Sequence, residues 1–407
     1  PDVPSSRQMG LEDREERRML TAQANERITK VGPGTLAGEL LRRYWMPVAP
    51  KAEVDEVKVR PVRLLGEDLV VYRDDRGRYG LLAEQCQHRS ASLAYGRIDG
   101  DGIRCPYHGW KYDVTGACLD QPAEPKGSTY KDSISHTAYP VQEAGGLLFA
   151  YMGPLPAPLI PKFDVLARPD WQRRIEIHPV LDCNWVQPME NSVDPAHLYW
   201  LHGYTGGAPD QLPDDENLYE EFEFGIYKSH VHEDEIETHP LVFPNILRGP
   251  GYVAHFRIPM DDRHTRIMYI LYNPTEDGSP TEQEQVPYQY IGPIKTEYDD
   301  HGYRRYERRM DTFAGQDAMA WETQGPLTDR GREHLSVSDI GIIMFRKMLD
   351  KQITVAAEGG DPLGVLREPH QVINFKVQRE DRHTGEIIPW QGQVGRTFTK
   401  SVGIPIS

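Results

Sequence analysis

Residues 86–122 read CQHRSASLAYGRIDGDGIRCPYHGWKYDVTGACLDQP. Two donor pairs stand in this stretch, Cys86-Gln87-His88 and Cys105-Pro106-Tyr107-His108, with sixteen residues between them. Each pair offers one thiolate and one imidazole. Zinc can take two Cys and two His, but its usual spacing groups like with like. Here each Cys travels with a His, so two loops can grip one diiron cluster, thiolates on one iron and imidazoles on the other, which makes the cluster easier to reduce. Around the pairs there is little helical or strand periodicity. Such loops must be fixed by something other than a core, and Gly109 and Gly116 supply tight turns beside them.

Working outward, 58–74 reads as two strands joined at Gly66-Glu67-Asp68, and 79–83 and 139–152 as further strands. Residues 36–45 carry helically spaced apolar groups. The Pro-rich stretch 153–162 breaks regular structure. The expected division is an N-terminal arm and helix over 1–45, a mostly β cluster domain over 46–155 and a second domain over 156–407. In the second domain, 173–182, 218–232, 251–259 and 265–272 read as strands, the last two forming a hairpin through Met260-Asp261-Asp262-Arg263. Residues 300–314 and 333–352 read as helical, with Ser336 or Ser338 as a cap for the latter.

The chain has 407 residues, 38% hydrophobic and 27% charged, with a formal net charge of −16. A charge of that sign argues against nucleic acid and against anionic membranes as partners. Four cysteines in so long a chain do not make a disulfide scaffold, and Cys118 and Cys183 read as small buried residues. The polar N-terminus has no apolar signal core and no stretch is long enough to span a bilayer, so a cytoplasmic protein is expected.

Residues 183–202, CNWVQPMENSVDPAHLYWLH, hold a second constellation. Asn191, Asp194 and His197 step by three and would share a helix face. His202 follows His197 by five, so a bend or helix end must lie between them for the two rings to converge. Two His and a carboxylate on one side of an iron leave positions open for O2 and substrate. Equally, Asp194-Pro195 is a good helix start, and the histidines can be ordinary buried polar residues.

The 86–122 stretch closely resembles the Rieske domain of ring-hydroxylating oxygenases. Respiratory Rieske proteins usually add a Cys beside each ligand loop, and this chain has Tyr107 in the second such place. Downstream, 191–202 resembles the N-x-x-D-x-x-H-x4-H signature of the same family, and YWMPVA with 316–346 resembles its phthalate dioxygenase-like branch. The resemblance implies a [2Fe–2S] cluster on Cys86, His88, Cys105 and His108. It also implies a mononuclear Fe(II) on His197, His202 and a distant carboxylate: Asp317 in QDAMAWE, with Glu322 and Asp311 as alternatives. Asp194 would lie between the cluster of one subunit and the iron of the next, making a homotrimer or homohexamer the working unit, and Asn191 would stand near the iron without binding it. The implied fold is α+β, a mostly β Rieske domain followed by a catalytic domain whose antiparallel sheet wraps a long helix. The implied activity is that of a terminal oxygenase fed by a reductase or ferredoxin, oxidising a small aromatic, carboxylated compound with O2 by ring hydroxylation or O-demethylation; the alternative is a Rieske ferredoxin. His255 and Arg257, two apart on one strand, and Arg248 are the candidate substrate contacts.

Overall fold

The computed structural model of the chain describes residues 20–203, 216–291 and 312–390, with the short pieces 297–298, 300–301 and 304–305. Short strands broken by Gly and Pro turns build the first third from small antiparallel sheets. Val59–Leu64, Glu67–Arg73, Tyr79–Ala83 and Ala138–Tyr139 pair in that order. The first hairpin turns at Leu65-Gly66, one residue earlier than the sequence suggests, because Leu64 pairs with Glu67. Arg97–Asp99, Gly102–Arg104, Lys111–Tyr112 and Cys118–Asp120 form a second four-stranded sheet. A third joins Trp45–Pro50, Leu147–Tyr151 and Val141–Ala144. The helix expected over 36–45 is only Leu36–Leu41, since Trp45 is captured as a strand residue by Tyr151.

The second part is dominated by one large sheet. Its strands run Glu216–Phe222, Gly225–Val231, Glu235–Val242, Ile246–Leu247, Val253–Pro259, Thr265–Pro274 and Trp171–Leu181, each antiparallel to the next. Tyr288–Tyr290 adds in parallel at the far edge. The run 218–232 is therefore a hairpin and not one strand; at its corner Gly225 has φ +153, and a Cβ there would stand 2.1 Å from the Leu241 carbonyl oxygen.

The helix Ile340–Ala357 buries Gly341, Phe345, Met348, Leu349, Gln352, Ile353 and Ala356, a stripe at three- and four-residue spacing. It starts later than the expected 333, after a 3-10 turn over Val337–Asp339 whose capping box is made by Ser336 and Asp339. The helix Ala22–Thr29, not foreseen in the sequence, packs beside it: Thr21 caps its start, and Arg27 bonds Asp350 at 2.6 Å and Thr354 at 2.8 Å. The helical reading of 300–314 fails at Arg304–Arg305, which pair as a strand with Glu297–Tyr298, and the helix begins only at Phe313. That charged run offers no apolar stripe for a helix to bury.

Packing crosses the 153–162 segment. The principal core joins Leu64, Val71 and Leu81 to Ile177, Phe256 and Ile270 of the large sheet. A smaller core of Val70, Tyr72, Leu82, Ile103 and Tyr112 backs the Cys/His loops. The architecture is thus mostly β in its first part and a large, nearly all-antiparallel sheet with helices in its second.

Candidate functional site

Two loops of matching construction carry the Cys/His pairs. In the first, Cys86 N–H donates to Ala91 O at 2.9 Å and Ser90 N–H to Cys86 O at 2.9 Å. In the second, Cys105 N–H donates to Trp110 O at 2.8 Å and Gly109 N–H to Cys105 O at 3.1 Å. Gly109 has φ +76, and a Cβ there would come within 2.8 Å of the Pro122 ring. Both sulfurs are buried, Cys86 at 2% and Cys105 at 4% exposure, while His88 is exposed and His108 half-buried. The two imidazoles lie 4.5 Å apart by ring centroid, and His88 stacks on Trp110 at 4.6 Å. Burial raises the Cys105 thiol, with Cys86 beside it, so a cation is needed to hold Cys105 as a thiolate. The Tyr112 hydroxyl stands 3.3 Å from the Cys86 sulfur. Cys118 and Cys183 are buried and free.

The second constellation is two short helices rather than one. Val186–Asn191 ends, the chain turns through 192–195, and Ala196–Trp200 follows. Asn191 closes the first helix and its carbonyl accepts from Asp194 N–H at 3.1 Å. Asp194 accepts from Ala196 N–H at 3.0 Å beside the start of the second, whose N-cap is Pro195, while its own carbonyl bonds His197 Nδ1. The helix thus starts one residue later than Asp194-Pro195 suggests, and the Asp194 carbonyl holds the His197 ring. The second helix then ends before His202, which the sequence required for convergence.

Opposite them lies the helix Phe313–Thr323, started by Thr312, which accepts from Gly315 N–H at 3.1 Å. Its inner face holds Gln316, Asp317 and Trp321. Ligand atoms of His197, His202 and Asp317 all fall within 4.8 Å of one another. His202 Nε2 and Asp317 Oδ1, 3.4 Å apart, are buried without hydrogen-bond partners. Two such atoms facing each other fit a shared cation. Each histidine's other nitrogen is held, His197 Nδ1 by the Asp194 carbonyl and His202 Nδ1 by Gln316 Oε1 at 2.8 Å, the arrangement that fixes tautomer and ring angle in metal sites. Burial pushes His197 down to about 4 against the pull of Asp317, so it is neutral and able to ligate at pH 7. Burial likewise raises the Asp194 carboxyl. Glu322 instead accepts from Asp182 N–H at 3.1 Å, and Asp311 lies outside the described residues.

Of the substrate candidates, the structure brings His255 and Arg257 to this site and not Arg248. Arg248 lies on the sheet's other side, paired with Asp164 at 3.3 Å, bonded to Tyr272 and donating to Val253 O at 3.0 Å. Arg257 is 1% exposed, lies over the Trp321 ring at 5.5 Å and feels the Asp317 charge; burial lowers it to about 10. The sequence reading missed Lys228, His230, His239 and His178 on the same sheet face. Their signal was alternation of polar residues within otherwise apolar strands, as in Lys228-Ser229-His230. An open cleft of about 350 Å³ elsewhere contains Lys51 and Arg173, but Lys51 is paired with Asp55 and Arg173 with backbone carbonyls.

A cluster-binding β domain that precedes a two-histidine, one-carboxylate site under a broad sheet defines a Rieske-type oxygenase. Comparison with known proteins agrees: residues 44–140 match the Rieske [2Fe-2S] domain and 244–379 the "LigXa C-terminal domain like" family. The chain is 41% identical to a 5,5'-dehydrodivanillate O-demethylase oxygenase subunit of Sphingobium, over 86% of this chain and 84% of that protein. It is 35% identical to a phenoxybenzoate dioxygenase subunit alpha of Ectopseudomonas oleovorans, over 83% and 87% of the two chains. To a Pseudomonas putida phthalate 4,5-dioxygenase oxygenase subunit it is 31% identical, over 88% and 92%. Among solved structures, the terminal oxygenase of carbazole 1,9a-dioxygenase from Novosphingobium matches the fold with TM-score 0.55 and 20% identity, covering 83% of this chain and 97% of that one. The chain belongs to the Rieske non-haem iron oxygenases, as an oxygenase (alpha) component of the phthalate dioxygenase-like branch. It is a terminal oxygenase rather than a lone electron carrier, and its cofactors are a Rieske [2Fe–2S] cluster and a mononuclear iron. Among the described residues no helix is long and apolar enough to cross a membrane.

Proposed function

We propose that this oxygenase oxidises a carboxylated methoxyarene, releasing the methyl group as formaldehyde. The observation that carries the reading is the convergence of His197, His202 and Asp317 beside Arg257, a guanidinium buried to 1% exposure that makes no ion pair among the described residues. A buried cation without a counter-ion is costly, and a substrate carboxylate would supply one in bidentate form, with His255 as a neighbouring donor. Cys86 and Cys105 would hold one iron of the cluster and His88 and His108 the other; His197, His202 and Asp317 would hold the third. The mononuclear iron, when bound, supplies the O2 and one-electron chemistry that side chains lack. The protein's part is to hold both ligand imidazoles in orientation, to bury the site and to seat the ring. Asp194 would link each iron site to the cluster of a neighbouring subunit in a homotrimer or homohexamer, and Asn191 would shape the loop beside it.

O-demethylation balances as Ar–O–CH3 + O2 + 2 e⁻ + 2 H⁺ giving ArOH + HCHO + H2O, the electrons coming from NAD(P)H through a reductase or ferredoxin in the cytoplasm. The O-demethylase relative favours this outcome; the two dioxygenase relatives favour ring hydroxylation of the same kind of substrate as a second reading. Holoenzyme with a reductase, NADH and O2 should release formaldehyde from methoxybenzoates in step with NADH use. Dihydrodiol without formaldehyde establishes the second reading, and no aromatic product from any aryl acid removes both. Asp317→Ala should abolish turnover while the cluster's visible spectrum persists; surviving turnover would show that another carboxylate completes the site.

A further inference from the structure

The register of the large sheet puts more than Arg257 on the face beneath the iron residues. His255 lies opposite Tyr269 and Arg257 opposite Ile267, which lies opposite His178 on the next strand. On the other side, His255 lies opposite Leu247 and Leu247 opposite Leu241, two residues from His239; His239 in turn faces Lys228, and Glu237 faces His230. Directly opposed residues point to one side of a sheet, so these groups share a face. They fall into two sets. Arg257, His255, His178 and Trp321 stand at one end; Lys228, His230, His239 and Glu237 at the other. Lys228 donates to Ser192 O at 3.1 Å, and its charge bears on Asp194 and His197, whereas that of Arg257 bears on Asp317. His197, His202 and Asp317 therefore stand between the two sets, near Lys228 on one side and Arg257 on the other.

Both sets contain buried polar atoms with no hydrogen-bond partner: Arg257 Nε, His178 Nε2 and Trp321 Nε1 in the first, His230 Nε2 and His239 Nδ1 in the second. All five residues are at least nine-tenths buried. Groups of this kind are costly if nothing meets them, and four on one sheet face with a fifth on the helix Phe313–Thr323 above it point to a polar ligand. The chemistry of the two ends differs. The first has a cation with no anion of its own apart from an iron ligand. In the second, Lys228 is balanced by Glu237, which also stands 3.6 Å from His239, and burial drives His230 down to about 3 and His239 well below its ordinary value. Neutral imidazoles beside a lysine whose charge is offset by a nearby carboxylate suit an uncharged oxygen substituent, to which they can donate or accept.

We infer that the substrate is two-headed: an aromatic carboxylate anchored at Arg257 whose far end carries a hydroxyl or ether oxygen read by His230 and His239. His239 and His255 are two strand spacings and a two-residue offset apart, roughly 12 Å, a span that suits two rings in sequence better than one. This rests on the oxygenase reading above for the location of the iron, but its test is a binding measurement and does not need turnover. Holoprotein should be titrated by calorimetry with benzoate, biphenyl-4-carboxylate and 4′-hydroxybiphenyl-4-carboxylate. The hydroxylated biphenyl should bind at least tenfold more tightly than its deoxy parent, and His239→Gln should erase that difference while leaving the affinity for biphenyl-4-carboxylate unchanged. Arg257→Gln should weaken both biphenyls. Equal affinity of the wild-type protein for the two biphenyls, or benzoate binding as tightly as either, overturns the inference without any variant, because the second set of donors would then be met by water alone. Should tenfold discrimination persist in the absence of all oxygenase turnover, the two-headed site stands and the proposed reaction falls.

Discussion

The Tyr112 hydroxyl, 3.3 Å from the Cys86 sulfur, belongs to a residue that is fully buried and anchored in the sheet below the loops. A donor to a cluster sulfur stabilises the electron-rich, reduced state more than the oxidised one, so it raises the reduction potential. A hydrogen bond of about 1 kcal/mol net is roughly 40 mV for one electron. Tyr112→Phe should therefore lower the potential of the cluster by about that amount in a redox titration followed by its reduced-state electron paramagnetic signal, with the fold unchanged; an unaltered potential would mean that the hydroxyl points its proton elsewhere. Residues of this kind divide into those the sequence displays and those it hides. Cys86, His88, Cys105 and His108 are legible because donor type and spacing are both unusual. Tyr112 and Gln316 are not, since a tyrosine in a strand or a glutamine in a helix has many ordinary uses, and only the fold brings one to a sulfur and the other to His202.

Among the elements, the helix Val186–Asn191 owes its placement to Glu190. Its carboxylate is bonded by Arg330 at 2.8 and 2.7 Å and by Arg346 at 2.6 Å, tying the segment that leads to His197 to the long helix Ile340–Ala357. Burial alone would push the Glu190 carboxyl up, and the two guanidinium groups outweigh it and hold it below the ordinary glutamate value. Its stabilisation is therefore complete above the unfolded value of about 4.3 and is lost as pH falls through the lower folded value. Glu190→Gln leaves the fully buried Arg330 without a counter-charge, while Arg346 keeps Glu333 at 2.8 Å, and should cost about 3–5 kcal/mol in urea unfolding at pH 7. Below pH 4 the wild-type protein should lose most of that margin over the variant. A variant as stable as wild type at pH 7 would mean that the clamp contributes nothing net. At this scale the strands were the more readable elements, because alternation survives in 251–259 and 265–272. The split helix at 186–200 was less so: the i, i+3 stepping of Asn191, Asp194 and His197 is compatible with a continuous helix, and the turn through 192–195 that breaks it is a local preference no periodicity reports.

At the scale of the whole molecule, the two candidate metal sites sit on separate cores, the Cys/His loops over Val70, Tyr72 and Leu82 and the His197, His202 and Asp317 group beside Ala318 and Trp321. The sequence conveyed the order of the two parts and the residues that converge as a candidate site, but not that packing runs across the 153–162 segment, since a shared core is a property of the assembled sheets and not of the linker. Nor does a chain read alone reveal between which copies electrons pass. If they cross from one subunit to the next by way of Asp194, then a protein lacking the cluster and one lacking the mononuclear iron should repair each other. Co-expressed in equal amounts, chains carrying Cys105→Ser and chains carrying Asp317→Ala should co-assemble. In a cyclic oligomer, an interface with an intact cluster on the donating side and an intact iron site on the receiving side arises in about one case in four. Steady-state turnover of the mixture should then reach about one quarter of the wild-type rate, although each variant alone is inactive. Were the electron to stay within one chain, every subunit of the mixture would lack one centre or the other, and demonstrably mixed oligomers would show no turnover at all.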